Sequence, residues 1–214
     1  MIRRAPPPPR RTDARRLAGG ALVACGVLLI GFSAAQYARG ELRAAALREE
    51  WEASRAHAAV RAIRAGAFTS LASYGFEPGA PVARLQIPRL DVDEIVVEGV
   101  GVEELNVGPG HLPGTALPGE PGNSVISAHR DRHFHALAGV EVGDTVVTDV
   151  GAQRTRWVIV SRRVVKAGVP ALFQTEGPTL TLTTCWPIRY FGPAPDRLIM
   201  TARPLPRDGR RERA

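Results

Sequence analysis

Cysteine is scarce in this chain, with only Cys25 and Cys185 among 214 residues. A disulfide-rich scaffold, which needs several cysteine pairs in a short chain, is therefore excluded. Aromatic residues make up 6% of the sequence, and no basic stripe interleaved with aromatics occurs in its middle. Arginines crowd instead at the two ends and supply much of the formal charge of +7. We therefore do not predict a nucleic-acid-binding surface.

Signals for phosphate and zinc binding are also missing. The glycine-rich stretch GVGVEELNVGPG lacks the Lys-Ser/Thr pair and the strand-to-helix context of a phosphate-binding loop. Three histidines, His129, His133 and His135, cluster in HRDRHFH, but their spacing does not match a zinc motif.

One apolar run stands near the start of the chain. Residues 17–37, LAGGALVACGVLLIGFSAAQY, carry no charge. At a rise of 1.5 Å per residue, a helix of this length spans roughly 31 Å, about one hydrocarbon core. Arginines are dense before the run, and positive residues tend to stay in the cytoplasm. We predict a cytoplasmic basic tail over residues 1–16, a single transmembrane anchor over residues 17–37, and an extracytoplasmic remainder.

Two other interpretations of the apolar run stay open. Ser33 and Ala35 fit a small-residue cleavage site, which would make the run a removed signal peptide. The letters LVAC, ending at Cys25, resemble a bacterial lipobox, in which this cysteine would be acylated. The apolar sequence continues well past Cys25, however, where a mature lipoprotein should turn polar.

Residues 41–65 are rich in Ala, Leu, Arg and Glu and contain no Pro or Gly, which predicts a helix. We interpret residues 38–80 as a helical stalk and linker that holds the rest of the chain off the membrane. His57, within this helix, is expected to be a solvated residue.

Beyond residue 80 the sequence changes to short runs of alternating or β-branched residues separated by Gly and Pro. This texture favours a closed or nearly closed all-β barrel with short helices near residues 102–105, 134–137 and 170–173. The predicted strands are residues 83–87, 94–98, 124–128, 145–150, 155–165, 179–184 and 197–202.

Cys185 is the residue that needs an explanation. In an exported chain two cysteines normally form a disulfide, but the predicted anchor places Cys25 in the membrane. A thiol nucleophile needs a group to manage its proton and a donor for the developing oxyanion. His129 and Arg197 lie, like Cys185, at ends of predicted strands, which can meet on one rim of a small barrel. Spacing alone leaves a second interpretation open, in which the cysteine is buried and structural and the histidine and arginine are surface residues.

Three stretches carry a family resemblance: GPGHLPGTALPGEPGNSVISAHRD, TLTTCWP and GPAPDRLIM. Their order and spacing are similar to those of sortases, which are membrane-anchored cysteine transpeptidases, and most similar to those of class D. The resemblance implies a closed eight-stranded β-barrel. It makes residues 81–205 the catalytic domain and residues 206–214 a basic C-terminal tail.

The resemblance also implies a role for each site residue. Cys185 corresponds to the nucleophile that attacks a carbonyl of an LPxTG-like sorting motif and forms a thioacyl intermediate. His129 corresponds to the general acid and then the general base, and Arg197 to the cation that holds the substrate and stabilises the oxyanion. Thr184 and Trp186 are candidate substrate contacts, with strand-end positioning and barrel capping as their alternatives.

Other polar residues are given structural interpretations. His111 resembles a packing position, and His133 and His135 are interpreted as surface or wall residues. Some sortases use calcium, but scattered acids are usually solvated, so we predict no cofactor or metal and leave calcium stimulation open. The acids in question are Asp91, Asp93, Glu94, Glu103 and Glu104.

The predicted function is that of a transpeptidase in the bacterial cytoplasmic membrane, single-pass, with its N-terminus inside. Its partners would be a secreted protein with a C-terminal sorting signal and an amine acceptor, either a peptidoglycan peptide or a pilin lysine. The alternatives are a thiol peptidase that releases its substrate to water and a non-catalytic surface barrel that binds peptides.

Overall fold

The structure is a computed structural model that describes residues 11–65, 76–168 and 175–206. The chain divides into two compact units, Met1–Leu42 and Arg43–Ala214. Of the described residues, those in the first unit are helical, and those in the second unit include all of the strands.

A single long helix, α1, runs over Arg11–Ala65. It joins the two predicted helices, because residues 38–40 between them are helical as well. In the first unit its large apolar side chains are exposed, including those of Leu22, Leu28 and Ile30. By length and composition this helix can cross a membrane. The exposed apolar surface is what a lipid-facing segment presents.

The second unit is built on eight strands that close into a barrel, as predicted. Its strand order is β1-β2-β3-β4-β7-β8-β6-β5, and β5 returns to β1. The pairs β2–β3 and β4–β7 are parallel, and the other neighbours are antiparallel. The strands are β1 (Pro81–Ile87), β2 (Val92–Glu98), β3 (Gly110–His111), β4 (Asn123–Ala128), β5 (Thr145–Val150), β6 (Gln153–Lys166), β7 (Thr179–Trp186) and β8 (Asp196–Pro204).

The seven predicted strands are all present, each within a few residues of its predicted ends. The strand β3 was not predicted, because it is two residues long and lies in a Gly- and Pro-rich stretch without alternation. A short helix, α2 (Val102–Leu105), forms as predicted, and a 3₁₀ helix covers His135–Gly139. A second 3₁₀ helix, Pro88–Leu90, was not predicted. The helix predicted at residues 170–173 lies outside the described residues.

Alternate side chains along the strands point inward and fill the barrel. Leu180 and Leu182 on β7 and Met200 on β8 are fully buried in one core cluster. The buried Trp157 donates an indole hydrogen bond of 2.8 Å to the hydroxyl of Thr148, so its polar atom is paired inside the core. Burying side chains of this size stabilises the fold by about 1.5–3 kcal/mol each.

The second half of α1 packs on the outside of the barrel. Val96 faces the core, so its neighbours Ile95 and Val97 on β2 face outward, where Leu47 and Trp51 of α1 cover them. The predicted stalk therefore contacts the barrel, because β2 is apolar on both faces and its outer face needs a cover.

Two ion pairs join α1 to the barrel beside this contact. The Arg84 guanidinium binds Asp93 and reaches Glu52 of α1 at 2.7 Å. Arg48 of α1 lies 3.4 Å from the carboxylate of Glu94.

Candidate active site

The register of three adjacent strands brings the predicted site residues together. Cys185 near the end of β7 is the direct partner of Arg197 at the start of β8. On the other side of β7, Thr184 is the partner of Ala128, the last residue of β4. The next residue along the chain is His129, so it leaves β4 beside Cys185. Adjacent strands lie about 4.8 Å apart, so the three residues occupy neighbouring positions at one end of the barrel.

Alternation along β7 sets the direction of the thiol. Leu180 and Leu182 face the core, so residues of the opposite parity, Thr181, Thr183 and Cys185, face outward. Thr181 is nonetheless buried, and its hydroxyl donates a 2.8 Å hydrogen bond to the Asn123 side-chain oxygen. Cys185 is half-buried. The Cys185 thiol therefore faces outward at the last position of the row Thr181, Thr183 and Cys185, and it is more accessible than the buried Thr181.

The cation beside the thiol has few competing partners. Among the described residues, the Arg197 guanidinium makes one hydrogen bond, of 3.2 Å, to the backbone carbonyl of Asp196. The Asp196 carboxylate pairs instead with Lys166 at 2.9 Å. Arg197 is half-buried, as is His129. Most N–H donors of the Arg197 guanidinium thus have no partner among the described residues, at the strand position paired with Cys185.

Thr184 and Trp186 point toward the barrel interior rather than the outer face. Thr184 is 1% exposed, and its hydroxyl donates a 2.7 Å hydrogen bond to the Ala128 carbonyl. Trp186 packs against the core cluster, and the Arg162 guanidinium lies 5.1 Å from the centre of its ring. These contacts favour strand-end positioning for Thr184 and barrel capping for Trp186 over contact with substrate. The Trp186–Pro187 peptide bond is cis.

A further arginine, which the sequence analysis did not single out, lies at the site. Arg130 directly follows His129, and its guanidinium donates hydrogen bonds to backbone carbonyls of the loop that joins β7 and β8. The only signal in the sequence is its place next to the histidine, in SAHRD. Nothing in the sequence indicates that its target is 57 or more residues away.

His111 and His135 have different surroundings from each other. His111 on β3 is buried and binds the Glu98 carboxylate at 2.7 Å, with the Thr115 hydroxyl at 3.0 Å from its second nitrogen. This is the packing role predicted for it. His135 is exposed, as one of its predicted alternatives requires.

For His133 the surface alternative is wrong, and the wall alternative is the one left. Its side chain is 7% exposed and lies 3.2 Å from the Glu94 carboxylate. Asp93 and Glu94 are each paired with basic groups. Within the described ranges, no three His, Cys, Asp or Glu side chains gather as metal ligands do.

Comparison with known proteins gives consistent results. The sortase-domain family model matches residues 85–205, more than half of the chain. Sortase D of Bacillus subtilis (strain 168) is 33% identical over 131 residues, which are 60% of this chain and 66% of that relative. The chain thus spans just under two thirds of that relative's length.

Several solved structures are similar in fold and above 25% in identity. The Clostridium perfringens Sortase D5 transpeptidase is 26% identical with a TM-score of 0.56, over 61% of this chain and 82% of that one. The catalytic domain of B. anthracis SrtD is 31% identical with a TM-score of 0.53, over 65% of this chain and 95% of that one.

Proposed function

Because this chain belongs to the sortase family, we propose that it is a membrane-anchored cysteine transpeptidase that cuts an LPxTG-like C-terminal sorting signal and joins the new acyl group to an amine. The observation that carries the proposal is the strand register. Cys185 is the cross-strand partner of Arg197, and His129 directly follows the residue paired with Thr184.

The first half of the proposed reaction forms a thioester. The Cys185 sulfur, as thiolate, attacks the carbonyl carbon of the scissile peptide bond, and the Arg197 guanidinium stabilises the oxyanion that results. The carbon–nitrogen bond then breaks, and protonated His129 gives its proton to the leaving amine. The products are a thioester on Cys185 and a free peptide amine.

The second half regenerates the enzyme. An incoming amine attacks the thioester carbonyl, and His129, now neutral, takes the proton that the amine loses. The carbon–sulfur bond breaks, a new amide forms, and Cys185 leaves as thiolate. The acceptor would be a peptidoglycan peptide amine or a pilin lysine, and the donor a secreted protein with a sorting signal.

The long helix supports an anchored location. Its apolar part is long enough to cross a membrane, and the arginines before it favour a cytoplasmic N-terminus. The barrel would then lie outside the cytoplasm, where secreted substrates emerge. Protease added to intact spheroplasts should degrade the barrel, and protection of the barrel would reverse the orientation.

Mass spectrometry of the intact full-length protein in detergent tests the chemistry. We would add LPxTG-type peptides that vary at the third and fifth positions, with and without an amine such as triglycine. Acid quenching should trap a mass increase on wild-type protein equal to the acyl part of the peptide. Cys185→Ala should show no adduct, and turnover by this variant would contradict the nucleophile assignment.

The same assay separates the two rival functions. Only hydrolysed product at saturating amine would indicate a thiol peptidase. Peptide binding without any adduct or product, for the whole peptide set, would indicate a non-catalytic binding barrel.

A further inference from the structure

Arg130 binds the loop that joins the nucleophile strand to the arginine strand. This loop, residues 187–195, begins two residues after Cys185 and ends two residues before Arg197. The Arg130 guanidinium donates hydrogen bonds to three of its backbone carbonyls, those of Pro187 at 3.3 Å, Tyr190 at 3.0 Å and Gly192 at 2.7 Å. The Tyr190 ring also lies 5.7 Å from the guanidinium carbon.

The loop has few other supports. Among the described residues, one backbone hydrogen bond outside the strands reaches it, from the Ala167 N–H to the Pro195 carbonyl at its far end. Ile188 is buried, whereas Tyr190 and Phe191 are exposed. A planar guanidinium has five fixed donors, so it can satisfy several carbonyls that a turn leaves unpaired. Arg130 and the buried side chain of Ile188 therefore hold the near half of the loop.

The sequence position of Arg130 gives this contact its significance. Arg130 directly follows His129, and the carbonyl of His129 accepts hydrogen bonds from the N–H groups of Arg132 and Phe134, which form a tight turn. The turn that carries the histidine is thus tied, through one side chain, to the loop that follows Cys185. Without this tie, the pairing of β4 with β7 ends at Ala128 and Thr184, one residue before His129 and Cys185.

We propose that Arg130 is a positioning residue that fixes the loop at residues 187–195 against the His129 turn, and so holds His129 and Cys185 in reactive alignment. The positioning effect on turnover rests on the proposed transpeptidase function. A displacement of about 1 Å at reacting groups can cost roughly 100-fold in rate. Loss of Arg130 should therefore lower kcat strongly and change the stability of the fold little.

The variants Arg130→Gln and Arg130→Lys test the proposal in the full-length protein. We expect kcat with an LPxTG-type peptide and triglycine to fall about 10- to 100-fold in Arg130→Gln, with a melting temperature near that of wild type. Arg130→Lys keeps the charge but not the planar fork, so its kcat should be intermediate. Arg189→Gln is the matched control, because Arg189 is an exposed arginine of the same loop with no hydrogen bond or ion pair among the described residues. It should keep wild-type kcat.

Limited trypsin digestion supplies a readout that does not need activity. Arg189 is a trypsin site inside the loop, so cleavage after it, followed by mass spectrometry, should be several-fold faster in Arg130→Gln than in wild type. A wild-type protein that turned over no peptide would defeat the proposed function, and the digestion would still show whether Arg130 holds the loop. Wild-type kcat in Arg130→Gln would overturn the proposal, as would a rate loss matched by a large fall in melting temperature.

Discussion

The hydroxyl of Thr184 donates a 2.7 Å hydrogen bond to the carbonyl oxygen of Ala128. Each of these residues directly precedes a proposed catalytic residue, Thr184 before Cys185 and Ala128 before His129. The bond lies at the last paired position of the parallel strands β4 and β7. It therefore ties the two strands together directly before both proposed catalytic residues, where the pairing of β4 with β7 ends.

Replacing Thr184 by Val should slow the reaction. The substitution keeps the shape of the side chain but leaves the buried Ala128 carbonyl without this donor, which costs about 1–3 kcal/mol of stability. We expect kcat with a sorting peptide to fall about 10-fold or more as the strand ends separate. Thr184→Ser keeps the hydroxyl and is the control. Equal kcat in the Val and Ser variants would contradict a positioning role for the bond.

Replacing Arg197 by Gln should remove most of the activity. Loss of one oxyanion donor typically costs about 3–4 kcal/mol of transition-state stabilisation, or a factor of roughly 100 to 1,000 in kcat. Acid-quenched single-turnover mass spectrometry would show slow formation of the Cys185 thioester. Arg197→Lys, which keeps the charge but not the fork, should retain part of the rate. Thioester formation at the wild-type rate in Arg197→Gln would remove Arg197 from the first step.

Replacing Trp51 should release the second half of α1 from the barrel. Trp51 is 5% exposed and packs with Leu47 on the outer face of β2. Trp51→Ala should lower the free energy needed to detach this part of α1 from the barrel by about 3 kcal/mol. We expect faster amide hydrogen exchange over residues 43–54 in the full chain in detergent.

Trp51→Phe is the matched variant for this contact. Among the described residues the indole N–H of Trp51 is buried without a hydrogen-bond partner, and such a donor costs about 1–3 kcal/mol. A phenyl ring removes that cost while it keeps most of the apolar contact, so exchange over residues 43–54 should stay close to that of wild type. Unchanged exchange in Trp51→Ala would show that the docking does not depend on this side chain.

Asp144 should make stability depend on pH in the acid range. Its carboxylate accepts two hydrogen bonds of 2.6 Å from Arg89 and one of 2.8 Å from the Glu141 N–H. The hydrogen bonds from Arg89 are the main cause that lowers the pKa of Asp144 below its usual value, and the Glu141 N–H lowers this pKa further. Stability from this group is thus present above the unfolded pKa of about 3.9 and is lost as pH falls through the lower folded pKa.

Asp144→Asn tests this pH dependence by urea unfolding. At pH 7 we expect the variant to be slightly less stable than wild type, since Arg89 is exposed and solvent screens the pair. The difference should shrink as the pH is lowered below about 4. Asp131→Asn is the control, because Asp131 is exposed and has no hydrogen bond or ion pair among the described residues. A stability difference that stayed constant down to pH 2 would rule out the titration of Asp144 as its cause.

Much of the barrel could be predicted from local sequence. The alternation of residues 145–150 predicted the strand β5 with its observed ends, because Val146, Thr148 and Val150 share one buried face. The strand β3 could not be predicted, since two residues have no period. Residues 95–97 contain three consecutive apolar side chains, a sign that both faces of β2 are covered, but they do not identify α1 as the cover.

The candidate site divides in the same way. The sequence by itself determined the chemistry on offer, a thiol, an imidazole and a guanidinium at strand ends, together with a membrane-length apolar run. Only the tertiary structure decided three contacts. Cys185 is paired with Arg197 across two strands, the Thr184 hydroxyl binds the Ala128 carbonyl, and Arg130 binds carbonyls of residues 187–192. The physical reason is that strand register and long-range hydrogen bonds depend on closure of the whole barrel, whereas residue type and alternation are local.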